Sequence, residues 1–128
     1  PVQTIAAGTN WAQVACGYFN TLAIKTDGTL WLWGQNSEGQ LGDNTLVNKS
    51  SPIQAITGGT NWKQVATGCA RHTVAIKTNG SLWVWGLNSS GQLGDTTIDN
   101  KSSPIMVSGG TWTQAALGTA NTFAIKVN

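Results

Sequence analysis

The sequence predicts an all-β chain, built as β-propeller blades of antiparallel four-stranded sheets that run for about two and a half repeats. Three observations carry that prediction. A long motif returns along the chain, with Trp11, Trp62 and Trp112 opening its successive copies. Gly, Thr, Asn and Ser supply most of the polarity, which suits short strands and tight turns and disfavours helices. Short apolar segments with period-two alternation are bounded by Asp-Gly or Asn-Gly pairs, the signal of a hairpin.

The repeat can be followed residue by residue. Trp11-Ala12-Gln13-Val14-Ala15 returns as Trp62-Lys63-Gln64-Val65-Ala66 and as Trp112-Thr113-Gln114-Ala115-Ala116. Thr21-Leu22-Ala23-Ile24-Lys25 is matched by Thr73–Lys77 and Thr122–Lys126. The run Asp27-Gly28-Thr29-Leu30-Trp31-Leu32-Trp33-Gly34 is matched by Asn79-Gly80-Ser81-Leu82-Trp83-Val84-Trp85-Gly86. Gly39-Gln40-Leu41-Gly42-Asp43 is matched by Gly91-Gln92-Leu93-Gly94-Asp95, and Asn48–Ile53 by Asn100–Ile105. Pro1-Val2 takes up the phase at the same proline. The chain therefore divides as a single array: repeat 1 over 1–51, repeat 2 over 52–103 and a half repeat over 104–128.

Each element has a local reason. Thr21–Lys25 alternates as a half-buried strand does. Asp27-Gly28 and Asn79-Gly80 predict type I′ hairpins, with positive φ at both central residues. In Leu30–Trp33 the leucines share one face and the tryptophans the other. A strand apolar on both faces must be covered on both, as in a blade between two neighbours. The two glycines of Gly-Gln-Leu-Gly, flanked by Asn36 and Asp43, predict a turn that lets backbone approach closely. Pro52 and Pro104 are placed outside the central strands and expected to open the connections between blades.

The joint pattern Asp-Gly-x-Leu-Trp-x-Trp-Gly-x-Asn-x-x-Gly-Gln-Leu-Gly, followed by Thr-x-Ala-Ile, resembles the repeat of the regulator-of-chromosome-condensation family. The resemblance covers nearly the whole chain and implies a propeller, in that family usually of seven four-stranded blades. Its style is more similar to bacterial or phage versions than to nuclear ones. That family's repeats commonly carry His shortly after the Gly. Here His72 fits, with one extra residue, and Asn20 and Asn121 stand at the other two places.

Composition bounds the chemistry. Charged residues are 9% of the chain, the net charge is +2 and no Lys/Arg run exists, so there is no strong signal for nucleic acid. No apolar run is long enough to span a membrane. His72 with Cys69 is too small a set for a metal site. Cys16 and Cys69 lie at near-equivalent places and read as two buried thiols, with a disulfide across adjacent blades as the alternative. Asp27, Asp43 and Asp95 fit turns, and no paired carboxylates or phosphate-binding loop are found. The expectation is therefore no catalytic residue, no cofactor and no metal.

Blade packing accounts for Trp31, Trp33, Trp83 and Trp85, and turn geometry for Gly28, Gly34, Gly39, Gly42, Gly80, Gly86, Gly91 and Gly94. Trp11, Trp62 and Trp112, which follow Gly-Thr turns, are expected to be partly exposed. With Tyr18, Phe19, Arg71 and His72, where the copies differ, they form the expected interaction surface. The functional expectation is a non-enzymatic assembly or binding module, extracellular or on a virion surface rather than nuclear. Its partners would be other protein chains, either copies of itself or the rest of a longer propeller. Two alternatives stand beside it. The resemblance implies exchange-factor action on a small GTPase, by fold analogy alone. Exposed Trp and Asn loops allow a lectin-like glycan binder.

Overall fold

The computed structural model describes residues 8–57, 59–66, 68, 69 and 71–127. Pro1 and Val2, where the first repeat takes up its phase, lie outside them. The first blade is a four-stranded antiparallel sheet in chain order: β1 (Trp11–Cys16), β2 (Asn20–Lys25), β3 (Leu30–Gly34) and β4 (Lys49–Gln54). The second repeats it with β5 (Trp62–Ala66), β6 (His72–Lys77), β7 (Leu82–Gly86) and β8 (Lys101–Val107). A two-stranded sheet of β9 (Thr111–Leu117) and β10 (Thr122–Val127) follows. Both complete blades are all-antiparallel, as the hairpin spacing predicts.

The hairpins differ in one respect from the expected type I′ turn. Gly28 N–H donates to Lys25 O at 2.9 Å, and Gly80 N–H to Lys77 O at 2.9 Å. The loops therefore hold three residues, and only the glycine has positive φ, 81° in both. The reason lies in the preceding Asp or Asn. Asp27 Oδ1 accepts from the Thr29 amide at 3.0 Å and its hydroxyl at 2.6 Å, and Asn79 Oδ1 treats Ser81 likewise. That bridge fastens the two residues around a type I turn and leaves the left-handed position to glycine, where no Cβ is strained.

Pro52 and Pro104 also sit differently from expectation. They lie inside β4 and β8, the outer strands of their blades, rather than opening the connections. An outer strand has one edge that no neighbour claims, so a residue without an N–H is tolerated there.

The leucine face and the tryptophan face do separate. Leu22, Ile24, Leu30, Leu32 and Leu41 of the first blade form one cluster with Trp62, Val65, Ala75 and Trp85 of the second. Val74, Ile76, Leu82, Val84 and Leu93 pack on Ala115, Trp112 and Ala124 of the third sheet. The core is thus two stacked seams. Each fully buried leucine in them contributes about 1.5–3 kcal/mol.

Candidate interaction surface

The seams are built from a recurring set of donors and acceptors that join one repeat to the next. In the inner strands, Gln13 Nε2 donates to Val65 O at 3.3 Å while the Val65 amide donates to Gln13 Oε1 at 3.2 Å. Gln64 repeats the first of these bonds to Ala115 O at 3.5 Å. Each hairpin also reaches forward. Gly28 O accepts from the Trp62 amide at 3.1 Å, and Gly80 O from the Trp112 amide at 2.8 Å.

The Gly-Gln-Leu-Gly loop carries the third link. The Gln40 carbonyl accepts both the Thr73 hydroxyl and the Trp85 indole N–H, each at 2.9 Å. One carbonyl has two lone pairs and serves both. In the next seam the Gln92 carbonyl accepts the Thr122 hydroxyl at 2.6 Å.

An asparagine holds each of these loops in shape. Asn36 is fully buried. Its Oδ1 accepts from the Leu41 amide at 2.8 Å, and its Nδ2 donates to Asp43 Oδ1 at 2.8 Å and Thr45 O at 3.0 Å. Its amide donates to Asn48 Oδ1 at 2.8 Å. Asn88 repeats every bond with Leu93, Asp95, Thr97 and Asn100. Burial pushes the Asp95 carboxyl upward, but bonds from Thr97, Asn88 and Lys101 outweigh it and bring the carboxyl down to about 2. Asp43 is lowered by the same balance, with Lys49 at 3.0 Å. Both aspartates are therefore structural anions.

The sheet faces at the two ends carry half of this seam each. In the first blade Val14 is 64% exposed, whereas its counterpart Val65 is buried. Beside it lie Trp11, with its ring 6.4 Å from Trp33, and Trp31, each half-buried and capped by the Lys25 ammonium. In the third sheet Phe123 and Ile125, counterparts of the buried Leu22 and Ile24, are both 60% exposed. Gln114, the counterpart of Gln13, is exposed among them and lines a shallow pocket with Ala116.

The residues expected at the surface divide. Tyr18 and Phe19 are exposed and stack edge to face at 4.3 Å. The Arg71 guanidinium lies 5.9 Å from the Tyr18 ring and 3.6 Å from Glu38, so these four residues share one rim across two blades. Trp11 and Trp112 are half-buried. Trp62 and His72 are not surface residues. Trp62 starts the inner strand of the sandwiched blade, between the rings of Trp83 and Trp85 at 6.2 Å. His72 pairs with Gly86 and is covered by the third sheet, with Nε2 3.0 Å from Thr122 Oγ1. Cys16 and Cys69, expected to be buried, are both free and exposed, because they fall at a strand end and in the loop beyond rather than on a seam-facing position.

Among the described residues no group of three or more His, Cys, Asp or Glu is placed to hold a metal ion. No helix among the described residues is long and apolar enough to cross a membrane. Sequence reasoning missed the buried Asn36 and Asn88 and the seam glutamines. Their signal was present: polar residues repeated without change in two or three copies.

Comparison with known proteins agrees with this geometry. A model described as the regulator of chromosome condensation (RCC1) repeat matches residues 27–76 and 79–125, and a second with the same description matches 11–40 and 62–92. A human protein described as probable E3 ubiquitin-protein ligase HERC3 is 39% identical over 98 residues, which is 74% of this chain and 9% of that protein. The X-linked retinitis pigmentosa GTPase regulator homolog of Caenorhabditis elegans is 36% identical over 95 residues, 73% of this chain and 7% of that protein. The chain thus spans less than a tenth of these relatives. Among solved structures, human WBSCR16 superposes with a TM-score of 0.83 at 28% identity, over 98% of this chain and 33% of that one. Yeast RCC1 (Prp20), solved with Kap60, gives 0.82 at 17% identity, over 98% and 32%, which speaks to the fold.

Proposed function

The chain belongs to the regulator-of-chromosome-condensation (RCC1) repeat family, and on that premise we propose that it is a non-enzymatic protein-interaction module whose uncovered blade faces hold further protein. One observation carries the reading. The two end faces are unlike and complementary, since Val14 and Trp33 are counterparts of Val65 and Trp85, and Phe123 and Ile125 of Leu22 and Ile24, the two sides of one formed seam. The partner is a further blade of the same kind, from a copy of this chain or from a longer propeller. The Tyr18, Phe19 and Arg71 rim adds a second contact surface, of the aromatic and Arg composition that interfaces favour. Low charge and Thr/Asn/Gly richness carry the further proposal of an extracellular or virion-surface setting.

The glycan-binding alternative would need a ring platform, and Trp62 and Trp85 are buried while the other five tryptophans are half-buried. The exchange-factor alternative rests on likeness of fold. The test is the mass of the chain in solution as concentration rises, for the parent and for Val14→Arg and Phe123→Arg. Association lost in both variants supports the reading. A folded monomer at every concentration, with no capture of a propeller fragment that ends in such a blade, refutes it.

A further inference from the structure

The two ends of the stacked sheets differ in charge. The β2–β3 and β6–β7 hairpins and the β4–β5 connection leave at one end, the hairpin face. The β1–β2, β3–β4, β5–β6 and β7–β8 loops leave at the other. Lys25, Lys63, Lys77 and Lys126 stand on the hairpin face against one carboxylate, Asp27. The opposite face sets Lys49, Arg71 and Lys101 against Glu38, Asp43, Asp95 and Asp99. The ion pairs among the described residues all lie on that opposite face, at 3.0 Å, 3.6 Å and 3.3 Å. On the hairpin face Asp27 turns its carboxylate to the Thr29 hydroxyl at 2.6 Å instead. Two of the lysines there are held in place by rings. Lys25 Nζ lies 4.5 Å from the Trp31 ring and 5.0 Å from Trp11, and Lys77 Nζ 4.6 Å from Trp62 and 4.7 Å from Trp83. A ring face takes one side of an ammonium and leaves N–H donors for an anion. Beside them an open cleft of about 660 Å³ is lined by Lys25, Lys63, Thr26, Thr60 and Thr78 among others. It lies between two complete repeats. A further blade would stack on the sheets, as the second does on the first, and leave this face open.

We propose that the hairpin face docks an acidic segment of another protein, a run of Asp or Glu laid across Lys25, Lys63 and Lys77, with one carboxylate side chain in the cleft. This surface is separate from the end faces and from the Tyr18 rim. Three observations choose the partner. The lysines outnumber the carboxylate of their own face, and that carboxylate is held by Thr29, so the complementary surface is an anion. Of the large apolar side chains that the loops expose, Tyr18, Phe19, Leu46, Val47 and Ile98 stand on the opposite face and Ile56 on this one. The hairpin face therefore has little to insert into a lipid bilayer. Lysine already occupies a face of Trp11, Trp31 and Trp83, the stacking platforms that a nucleic-acid strand would use. An acidic peptide needs neither insertion nor stacking. Ring-held ammonium groups also lose less freedom on binding than free ones do.

The test uses the intact chain and a labelled hexaglutamate peptide. Anisotropy reads binding, and amide chemical shifts locate it. The expected result is saturable binding that weakens as salt rises, with shifts at Lys25, Lys63 and Lys77. Lys63 is exposed, so its variants should keep the fold by circular dichroism. Lys63→Gln should weaken binding roughly threefold, the scale of one exposed ion pair. Lys63→Glu should weaken it further, and Lys63→Arg should bind as the parent does. Lys49→Gln takes the same charge off the opposite face and should also bind as the parent does. No binding by the folded chain, undiminished binding by Lys63→Glu, or an equal loss in Lys49→Gln and Lys63→Gln each overturns the proposal. Tighter binding of a hexathymidylate or of phosphatidylserine vesicles than of the peptide overturns it as well. These variants leave Val14 and Phe123 in place, so self-association measured alongside reports on the end faces separately.

Discussion

Acid should loosen one seam of this array and spare the other, and His72 is the reason. Thr122 gives its single hydroxyl proton to Gln92 O at 2.6 Å, so at 3.0 Å it can only accept from His72. That fixes the proton on Nε2 and leaves Nδ1 as a buried acceptor without a partner. A second proton would place a charge on Nδ1 in the seam. Burial accordingly lowers His72 from 6.5 to about 4, against a smaller opposing effect from the Asn121 backbone. The sign follows from linkage. The unfolded imidazole takes a proton near 6.5 and the folded one only near 4, so the stability is complete above the upper value and is lost as pH falls through this window. The full shift corresponds to about 3 kcal/mol. The first seam has Asn20 at the equivalent position, a side chain that does not titrate. Hydrogen exchange on β9 and β10, followed from neutral pH down to about pH 5, should show accelerating opening, while β2 and β3 change little. His72→Asn copies the first seam's own residue. It should cost about 1 kcal/mol at neutral pH through the lost bond and flatten the acid response. If His72→Asn opens with the same pH slope as the parent, the assignment to His72 is wrong.

Other perturbations test the remaining parts of the frame. Gly42→Ala and Gly94→Ala put the same residue at the same positive φ, but only the first meets Trp85 and Pro104. Thermal melts should show strain of about 1 kcal/mol at Gly94 and 1–3 kcal/mol more at Gly42. Asn36→Ala strands the Leu41 amide and removes a donor from Asp43, and urea titration should register a loss of about 2–4 kcal/mol. Trp85→Phe keeps a ring but leaves Gln40 O with one donor. It should cost about 1–3 kcal/mol by the same titration, with Trp33→Phe on the open face costing far less.

Much of the fold was legible because the repeat presents each signal more than once. Glycine after Asp or Asn marked both hairpins, and the Leu/Trp alternation of β3 and β7 sorted the two faces of a blade. The turn type escaped because it depends on where Asp27 sends its carboxylate, and a dipeptide does not contain that. Trp62 and Trp11 show the larger limit. They occupy the same place in matching motifs, yet one is buried and the other half-buried. Burial there is set by contact with a neighbouring blade, which local sequence does not encode. The seam acceptors were harder still, since Gln40 and Gln92 act through backbone carbonyls and any side chain would leave that group in place. Asn36 and Asn88 read as loop residues because asparagine is common in loops, and only the convergence of four partners distinguishes them. The cysteines have a simpler reason: Cys16 is the last residue of β1 and Cys69 falls in the loop beyond β5, and neither side chain reaches a seam.

The one-period spacing of the seam partners has a consequence for how such arrays change in length. Each seam joins groups one period apart, as when the Gln40 carbonyl of one repeat accepts from Trp85 of the next, 45 residues on. A duplication of one whole repeat, cut anywhere in the period, therefore regenerates a complete seam with no new residue required. A duplication that misses the period produces two mismatched halves. The unit that this architecture can gain or lose without loss of fit is thus the period itself, and its starting point is arbitrary.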